Sequence, residues 1–382
     1  MNPLDIRNRR ISTNEDLIGL PGGRQMLDTP CLLIDRPALL RNLERGAELA
    51  AKAGKTLLPH LKAHKTPGIA DLQKDAGTKG FCVASIGEAE VFADHLDLPM
   101  TITSAFATDR QIARVAALAN RLTALTIVLD NLSVLRKLSA IDASLSVLID
   151  VDMGRGRSAC CEEAQAVHLA REIVEAPNLS FDGLQCYAGQ LSHMNAFCDR
   201  TRGAAEADRR AASFLNAVKS FAGGPLRCSG GSTGTFSLDL TSKALTELQW
   251  GSYALMDVEY QALRDREDHQ ALPFENALRV ATRVISAGHS GHVILDAGDK
   301  RFANKYGAAP RILRPQRYRA NAFKPKSDEH GEMHGTRLPP LGQIMEVIPP
   351  HCDPTVNLFD AVHVVDGNRL VDIWPVVARG VY

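Results

Sequence analysis

Short apolar runs alternate with amphipathic stretches through the first two thirds of the chain. Short runs of this kind are typical of buried strands, and the stretches between them, such as residues 86–95 and 159–175, have the spacing of surface helices. Strands that alternate with helices favour a parallel sheet, and eight of them can close a (β/α)8 barrel of the TIM type. We predict eight such strands, at residues 56–61, 80–85, 100–105, 124–129, 145–150, 180–187, 226–230 and 247–254.

Before the first of these strands, residues 31–34 form one more apolar run, and Asp35 follows it directly. Asp35 is placed to cap a helix that carries Pro37 in its first turn. The helix would turn its apolar positions toward the core. These positions are Leu39, Leu40, Leu43, Ala47 and Leu49.

The pattern changes near residue 275, where β-like runs replace the alternation with helices. These runs lie at residues 278–285, 293–296, 344–348 and 362–374. The last run contains Asp366-Gly367, a hairpin signal, whereas residues 304–340 are rich in Pro, Gly and charge and are predicted to be loop. We therefore predict a barrel domain over residues 28–274. A smaller β-rich C-terminal domain would cover residues 275–382, with residues 1–27 available to complete it.

The composition excludes several classes of protein. Lys+Arg and Asp+Glu number 44 each, so no global charge favours nucleic acid or an anionic membrane. No apolar run approaches membrane-spanning length, and the charged N-terminal residues do not fit a secretory leader. The eight cysteines show neither Cys-x-x-Cys nor a disulfide framework. We expect a cytoplasmic protein with neither nucleic acid nor membrane as a partner.

The first predicted barrel strand ends in a dense basic cluster, Pro59-His60-Leu61-Lys62-Ala63-His64-Lys65. A lysine at the C-terminal end of a barrel strand is well placed to become a desolvated amine that attacks a carbonyl. The alternative is a solvated basic turn. Two histidines within the same few residues weaken this alternative without excluding it.

Strands seven and eight carry glycines and hydroxyls, in Ser229-Gly230-Gly231-Ser232-Thr233-Gly234-Thr235 and Gly251-Ser252-Tyr253. Glycines allow backbone N–H groups to close around phosphate oxygens, and hydroxyls add further donors. A flexible turn is the alternative for any isolated Gly-Gly. The position after the seventh of eight strands, where barrels often hold phosphate, favours a phosphate site.

The C-terminal region contains Pro349-Pro350-His351-Cys352-Asp353. If this segment is a strand, His351 and Asp353 share one face while Cys352 points to the other. Imidazole with carboxylate suits a divalent metal that keeps open water positions. A surface loop with incidental ligands is the alternative, and a shift of register would bring in Cys352.

As a set, these motifs resemble the D-threonine aldolase and D-serine dehydratase family of fold-type III pyridoxal-phosphate enzymes, related in architecture to alanine racemase. The resemblance implies that Lys62 carries pyridoxal 5'-phosphate as a Schiff base. It places Arg157 near the phenolic oxygen of the cofactor, and Tyr187 and His193 facing cofactor and substrate, with His193 a candidate base. The implied cofactor-binding residues are Lys62, Arg157, Tyr187, Gly231, Thr233, Gly234, Thr235, Gly251, Ser252 and Tyr253.

The resemblance also implies that His351 and Asp353 hold Mn²⁺ or Mg²⁺, less readily Zn²⁺. The implied activity is cleavage of a D-β-hydroxy amino acid, of the D-threonine or 3-hydroxyaspartate type, to glycine and an aldehyde. Asp353 favours this activity, because the zinc-dependent dehydratases of the family carry cysteine at that position. A homodimer with the site near the interface is implied as well.

Two other functions stay open from the sequence. One is a dehydratase of the D-serine or 3-hydroxy-D-aspartate type with the same cofactors, and the other is a pyridoxal-phosphate-binding protein without catalysis. Ala188, Ser192 and residues 104–106 depart from the family pattern. These departures leave the identity of the substrate open.

Overall fold

The structure, a computed structural model, describes residues 12–303 and 305–381. An eight-stranded sheet forms the barrel, and all its neighbouring strands are parallel. A single bridge between His60 and Cys82 joins the two ends of this sheet. The predicted fold class is therefore confirmed, and a strand overlaps each of the eight predicted ranges, although the first and the last strand are only two residues long. The strands are β2 Thr56–Leu57, β3 Phe81–Val83, β4 Met100–Ile102, β5 Leu125–Leu129, β6 Leu145–Asp150, β7 Leu179–Cys186, β8 Arg227–Gly230 and β9 Glu247–Leu248.

Helices follow most of these strands and cover the outside of the barrel. In chain order, and including α1, α2 and α11, which follow no barrel strand, the α-helices are α1 Gly23–Met26, α2 Arg36–Lys52, α3 Pro67–Asp75, α4 Ile86–Ala93, α5 Asp109–Ala119, α6 Leu132–Leu138, α7 Glu163–Glu175, α8 Phe197–Val218, α9 Phe236–Thr241, α10 Val258–Ala262 and α11 Cys352–Val356. Asp35 caps α2 as predicted, and its Oδ1 accepts from the Ala38 N–H at 3.3 Å. Helix α7 begins later than predicted because Cys160 forms a bridge with Val151.

A second, mixed sheet contains β1 Cys31–Asp35, β10 Leu278–Ser286, β11 His292–Leu295, β12 Arg311–Arg314, β13 Phe323–Pro325, β14 Gly331–His334, β15 Ile344–Ile348, β16 Ala361–Asp366 and β17 Arg369–Pro375. The hairpin predicted at Asp366-Gly367 joins β16 to β17 and is confirmed. The loop prediction for residues 304–340 is wrong, because β12, β13 and β14 lie there. Residue 304 itself lies outside the described residues. These strands are short, and their pairing partners are distant in sequence, so local alternation did not reveal them.

Strand β1 falls within the range predicted for the barrel, yet it lies in the second sheet between β10 and β16. The Gly19 N–H donates to the Leu370 carbonyl at 2.8 Å, so part of the N-terminal segment also contacts this sheet. Residues 1–11 of the predicted N-terminal contribution lie outside the described residues. The division of the chain near residue 275 stays a prediction. In the described ranges, no helix combines the length and apolarity that crossing a membrane needs.

One hydrophobic cluster connects the barrel to the second sheet. It contains Leu39 and Leu43 of α2, Trp250 beyond β9, and Val280 and Val347 of the second sheet. This shared core holds the segment around α11 against the C-terminal ends of the barrel strands. The loops that follow those strands therefore face a cavity that the second sheet helps to enclose.

Candidate active site

A cavity of about 620 Å³ lies at the C-terminal ends of the barrel strands. Nine of the predicted site residues line it, namely Lys62, Arg157, Tyr187, His193, Thr233, Gly251, Ser252, His351 and Asp353. Gly231, Gly234, Thr235 and Tyr253 are not among the lining residues. The sequence motifs from both parts of the chain thus meet at one site.

The two lysines of the basic cluster differ in their surroundings. Lys62 lies in the turn Leu61–Ala63 that follows β2, and its ammonium is 5.6 Å from the Tyr187 ring centroid. Among the described residues, this ammonium has no hydrogen bond or ion pair. Lys65 Nζ instead lies 3.3 Å from Glu88 Oε1 and donates to Asn357 Oδ1 at 3.1 Å. Lys62 is therefore the amine that is available to react.

Two arginines join Lys62 around the same aromatic ring. The guanidinium carbons of Arg157 and Arg155 lie 5.5 and 6.0 Å from the Tyr187 centroid. Within the described ranges, neither guanidinium forms an ion pair. We call Lys62, Arg155 and Arg157 the cationic wall. Positive charges left without an acid favour an anionic ligand in the cavity.

The pKa of His60 depends on the charges of the cationic wall, because His60 is buried and lines the same cavity. Burial lowers the pKa of its imidazole well below the usual value, and the charges of Lys62 and Arg157 lower it further. The Thr103 hydroxyl donates to the Val83 carbonyl and lies 3.0 Å from His60 Nε2. The hydroxyl therefore accepts from a neutral imidazole protonated at Nε2.

Two short turns beside the cavity carry free backbone donors. They are Thr233–Thr235 after β8 and Ser252–Ala254 after β9, and we call them the phosphate turns. In the part of the chain that the structure describes, the N–H groups of Thr233, Gly234, Gly251 and Ser252 make no hydrogen bond. Free N–H groups at such turns suit phosphate oxygens.

The other residues predicted for phosphate lie behind these turns. Thr235 Oγ1 donates to Asp239 Oδ2 at 2.9 Å. A Cβ on Gly231 would lie 2.6 Å from that oxygen, and one on Gly234 would lie 2.1 Å from the Ser192 carbonyl oxygen. These glycines therefore allow close packing of the turn against protein atoms, a reason that the sequence did not reveal.

Tyr253 also lies away from the cavity. Its buried hydroxyl accepts from Gln73 Nε2 at 3.4 Å, and its ring packs against Gly46 of α2. Only its backbone reaches the phosphate turns, where its N–H donates to Thr233 Oγ1 at 3.0 Å.

The strand predicted at His351–Asp353 is wrong. His351 is an extended residue that precedes α11, so Cys352 and Asp353 begin a helix and strand alternation does not apply. His351 and Asp353 nevertheless both line the cavity. Cys352 is fully buried, and its thiol donates to Asp353 Oδ1 at 3.2 Å. The start of a helix, and not the pleat of a strand, separates the thiol from the other two side chains.

Asp257 orients this segment. Its Oδ2 accepts from His351 Nδ1 at 2.9 Å and from the Cys352 N–H at 2.8 Å, while its Oδ1 accepts from the Tyr260 N–H. Candidate ligand atoms of Asp257, His351 and Cys352 lie within 4.8 Å of one another. Because both Asp257 oxygens are engaged, we interpret Asp257 as the carboxylate that orients His351 and leaves Nε2 free for a metal.

The titration of this group agrees with that interpretation. Burial opposes the charged imidazole of His351, but the hydrogen bond to Asp257 and the charges of Asp353 and Glu259 raise its pKa above the usual value. Burial raises the pKa of the Cys352 thiol well above its usual value.

Glu259 connects two histidines across this side of the cavity. Its Oε1 lies 2.6 Å from His193 Nδ1, although the two groups are not aligned as a hydrogen bond, and its Oε2 lies 3.5 Å from His351 Nδ1. We call Asp257, Glu259 and Asp353, with His193 and His351, the acidic wall.

The sequence did not reveal Asp257, Glu259 or Tyr306, whose ring stacks on His193 at a centroid distance of 3.9 Å. Both acids lie about ten residues beyond the end of the last barrel strand. The rule that barrel sites lie after strand ends could have identified them. Tyr306 comes from the stretch predicted as loop, and no sequence signal placed it at the cavity.

The two walls fit two different groups. A reactive amine, cations and free N–H donors suit a phosphorylated aldehyde such as pyridoxal 5'-phosphate, with Lys62 as its attachment point. An imidazole nitrogen and a carboxylate oxygen at the acidic wall suit a divalent cation. The chemistry of the donors thus agrees with the cofactors that the sequence resemblance implied.

Residues 34–258 match the family described as "Alanine racemase, N-terminal domain", and residues 277–365 match "Putative serine dehydratase domain". D-threonine aldolase of Arthrobacter sp is 34% identical over 361 residues, 93% of each chain. 3-Hydroxy-D-aspartate aldolase of Paracoccus denitrificans (strain Pd 1222) is 31% identical over 376 residues, 96% of each chain.

Among solved structures, D-threonine aldolase from Filomicrobium marinum matches with a TM-score of 0.86 at 32% identity. The match covers 93% of this chain and 96% of that chain. These relatives are aldolases and therefore carbon–carbon lyases. The chain belongs to the D-threonine aldolase and D-serine dehydratase family of fold-type III pyridoxal-phosphate enzymes, as a carbon–carbon lyase.

Proposed function

We propose that this enzyme uses pyridoxal 5'-phosphate and a divalent metal to cleave a D-β-hydroxy amino acid into glycine and an aldehyde. The observation that carries the proposal is that the cationic wall lines the same cavity as His193, His351 and Asp353 of the acidic wall. A retro-aldol cleavage needs a place for negative charge at Cα and a base for the proton of the β-hydroxyl. Each wall supplies one of these requirements.

The cationic wall and the phosphate turns would hold the cofactor. Lys62 would bind its aldehyde carbon, Arg157 would face its phenolic oxygen, and the free N–H groups of Thr233 and Gly251 would face its phosphate. When bound, pyridoxal phosphate supplies an electron sink for the charge left on Cα as the Cα–Cβ bond breaks. Tyr187 lies at the centre of the cationic wall, which supports a role in positioning the bound cofactor.

His193 is the proposed base. Its Nδ1 faces Glu259, so Nε2 would take the proton of the β-hydroxyl, and the carboxylate of Glu259 would stabilise the charged imidazole. The ring of Tyr306 covers one face of His193 and limits its rotation. His193 is thereby held in one orientation before substrate binds.

His351 and Asp353 are the proposed metal ligands, His351 through Nε2. A divalent ion at such a site stabilises a deprotonated hydroxyl oxygen. One nitrogen and one carboxylate oxygen, completed by water and substrate oxygen, form a hard and open ligand set that favours Mn²⁺ or Mg²⁺. Cys352 is buried and does not line the cavity, which supports this choice over a thiolate-bound Zn²⁺.

Incubation of the purified protein with pyridoxal phosphate, Mn²⁺ and a panel of β-hydroxy amino acids tests the proposal. We expect glycine and the matching aldehyde from D-threonine or D-3-hydroxyaspartate, and no cleavage of the L-enantiomers. Ammonia and a 2-oxo acid would instead support the dehydratase alternative. Binding of the cofactor without turnover of any substrate would support the non-catalytic alternative.

A further inference from the structure

A buried carboxylate lies behind the phosphate turns. Asp239 belongs to α9, is 6% exposed and does not line the proposed cofactor cavity. No step of the proposed reaction uses it. A buried acid is costly unless its oxygens are hydrogen-bonded, so its contacts indicate what it holds in place.

One oxygen of Asp239 accepts three hydrogen bonds. Its Oδ2 accepts from the Ser232 N–H at 2.9 Å, from Thr235 Oγ1 at 2.9 Å and from Trp250 Nε1 at 3.0 Å. Ser232 and Thr235 frame the first phosphate turn, and Trp250 directly precedes Gly251 at the second. A single atom therefore ties together the ends of both turns.

Asp239 has no cation to compensate its charge at close range. In the described part of the chain it forms no ion pair, and the nearby Lys55 ammonium donates instead to the Ser242 and Leu245 carbonyls. Burial raises the pKa of Asp239, while the hydrogen bonds from Trp250, Ser232 and Thr235 lower it. The three donors are thus the main compensation for burying this group.

The backbone is shaped to accept this carboxylate. Gly231 has φ +79, and a Cβ there would lie 2.6 Å from Asp239 Oδ2. With Ser232 N–H and the Thr235 hydroxyl turned toward Asp239, the free N–H groups of this turn are those of Thr233 and Gly234. Some donors of the turn therefore bind the carboxylate of Asp239, and the remaining N–H groups stay free for a ligand.

We propose that Asp239 is the positioning residue of the cofactor phosphate site: it fixes both phosphate turns from behind so that their remaining N–H groups stay available to phosphate oxygens. The inference rests on the proposed function, because it takes these turns as the phosphate site. Asp239 would touch neither cofactor nor substrate. Its effect should therefore appear only in the part of cofactor affinity that the phosphate contributes.

The test compares binding of pyridoxal phosphate and of pyridoxal, which lacks the phosphate, to cofactor-free protein by absorbance titration. In Asp239→Ala we expect the Kd of pyridoxal phosphate to rise at least about tenfold, because the three hydrogen bonds that hold the turns are lost. We expect the Kd of pyridoxal to change less than about twofold. The decisive quantity is the Kd of pyridoxal divided by the Kd of pyridoxal phosphate, which should fall in Asp239→Ala. A general loss of stability does not change this ratio.

Two further variants separate positioning from general structure. Asp239→Asn retains a carbonyl oxygen for the same donors and should restore most of the ratio. Asp296→Ala is the matched control, because Asp296 Oδ1 accepts in the same way from the Thr282 hydroxyl and the Arg283 N–H, within the second sheet. It should lower the melting temperature and leave the ratio unchanged.

Should Asp239→Ala fail to fold, Trp250→Phe removes one of the three donors and should lower the ratio by a smaller factor. An unchanged ratio in every folded variant at Asp239 and Trp250 would overturn the inference and leave the cofactor site intact. If the wild-type protein bound pyridoxal phosphate no better than pyridoxal, the phosphate site itself would be wrong. The two failures are therefore distinguishable.

Discussion

The cationic wall and part of the acidic wall line the same cavity, yet their charges are compensated in different ways. Among the described residues, the ammonium of Lys62 and the guanidinium groups of Arg155 and Arg157 have no acid within ion-pair distance. On the acidic wall, Asp257 and Asp353 accept hydrogen bonds from neighbouring protein groups. The cationic wall therefore favours an anionic ligand, whereas Asp257 and Asp353 of the acidic wall are already held by protein groups.

Two histidines show this difference directly. The pKa of His60 is lowered by burial and by the cations beside it, whereas the pKa of His351 is raised by acids that outweigh its burial. Both imidazoles are buried, so burial alone does not explain the opposite directions. The sign of the surrounding charge decides between them.

The largest effect is expected from removal of the reactive amine of the cationic wall. Lys62→Ala should abolish the visible absorbance of bound pyridoxal phosphate and lower kcat by about three orders of magnitude or more, because the covalent attachment point is lost. Lys65→Ala is the matched control. It should retain the absorbance, although it should unfold at lower temperature because Glu88 is left buried without its cation. Reversed results would assign the attachment to Lys65.

Metal chemistry offers the next test, on the acidic wall. Asp353→Ala, like treatment with a chelator, should reduce cleavage by about a hundredfold or more while the cofactor absorbance stays, since the metal serves chemistry and not attachment. Cys352→Ser should remain active with the same preference for Mn²⁺ or Mg²⁺. Loss of tightly bound zinc from Cys352→Ser would make the thiol a ligand and favour the dehydratase alternative.

A smaller effect should follow when the orientation of His351 is disturbed. Asp257→Asn removes the charge that holds His351 Nδ1 and the Cys352 N–H, and we expect metal affinity to fall about 10- to 100-fold. Titration of the metal-free protein with Mn²⁺ measures this change. An unchanged Mn²⁺ affinity would show that Asp257 does not orient the ligand, and a complete loss of binding would make Asp257 a ligand itself.

The sequence predicted the barrel better than it predicted the site. Buried parallel strands are continuous apolar runs, so strands such as β5 and β6 are visible locally. Pairing between distant segments is not local, which explains why β12 to β14 were predicted as loop. Likewise, the short helix α11 follows an extended residue, and its few residues carry no helical period that could have distinguished it from a strand.

The sequence pattern also could not predict which side chains form hydrogen bonds or ion pairs with each other. Glu259 and His193 are far apart in sequence, and only the closure of the barrel brings them together. Asp239 and Trp250 are only eleven residues apart, yet no local pattern pairs an acid in α9 with an indole N–H beyond β9. Residue types at strand ends were therefore predictable, whereas the residues that orient them were not.

The smallest expected effect is a pH dependence that arises from His60 at the cationic wall. Its pKa is lowered in the folded protein and is near 6.5 in the unfolded chain, so the unfolded state takes up the proton first. The stabilisation that a neutral His60 provides is thus present above about pH 6.5 and is lost as the pH falls below it. Between pH 7.5 and 5.5 this group should reduce the free energy of unfolding by about 1 kcal/mol.

Urea unfolding of the wild type and of His60→Gln at both pH values measures that contribution. The variant should be less stable overall, but its free energy of unfolding should change less with pH by about 1 kcal/mol. Other buried histidines, such as His64, titrate in both proteins and cancel in the difference. Bound pyridoxal phosphate should make the difference in pH dependence between the wild type and His60→Gln smaller. The reason is that an anionic ligand offsets part of the field of the cations beside His60. A pH dependence identical in both proteins would show that His60 does not experience this field.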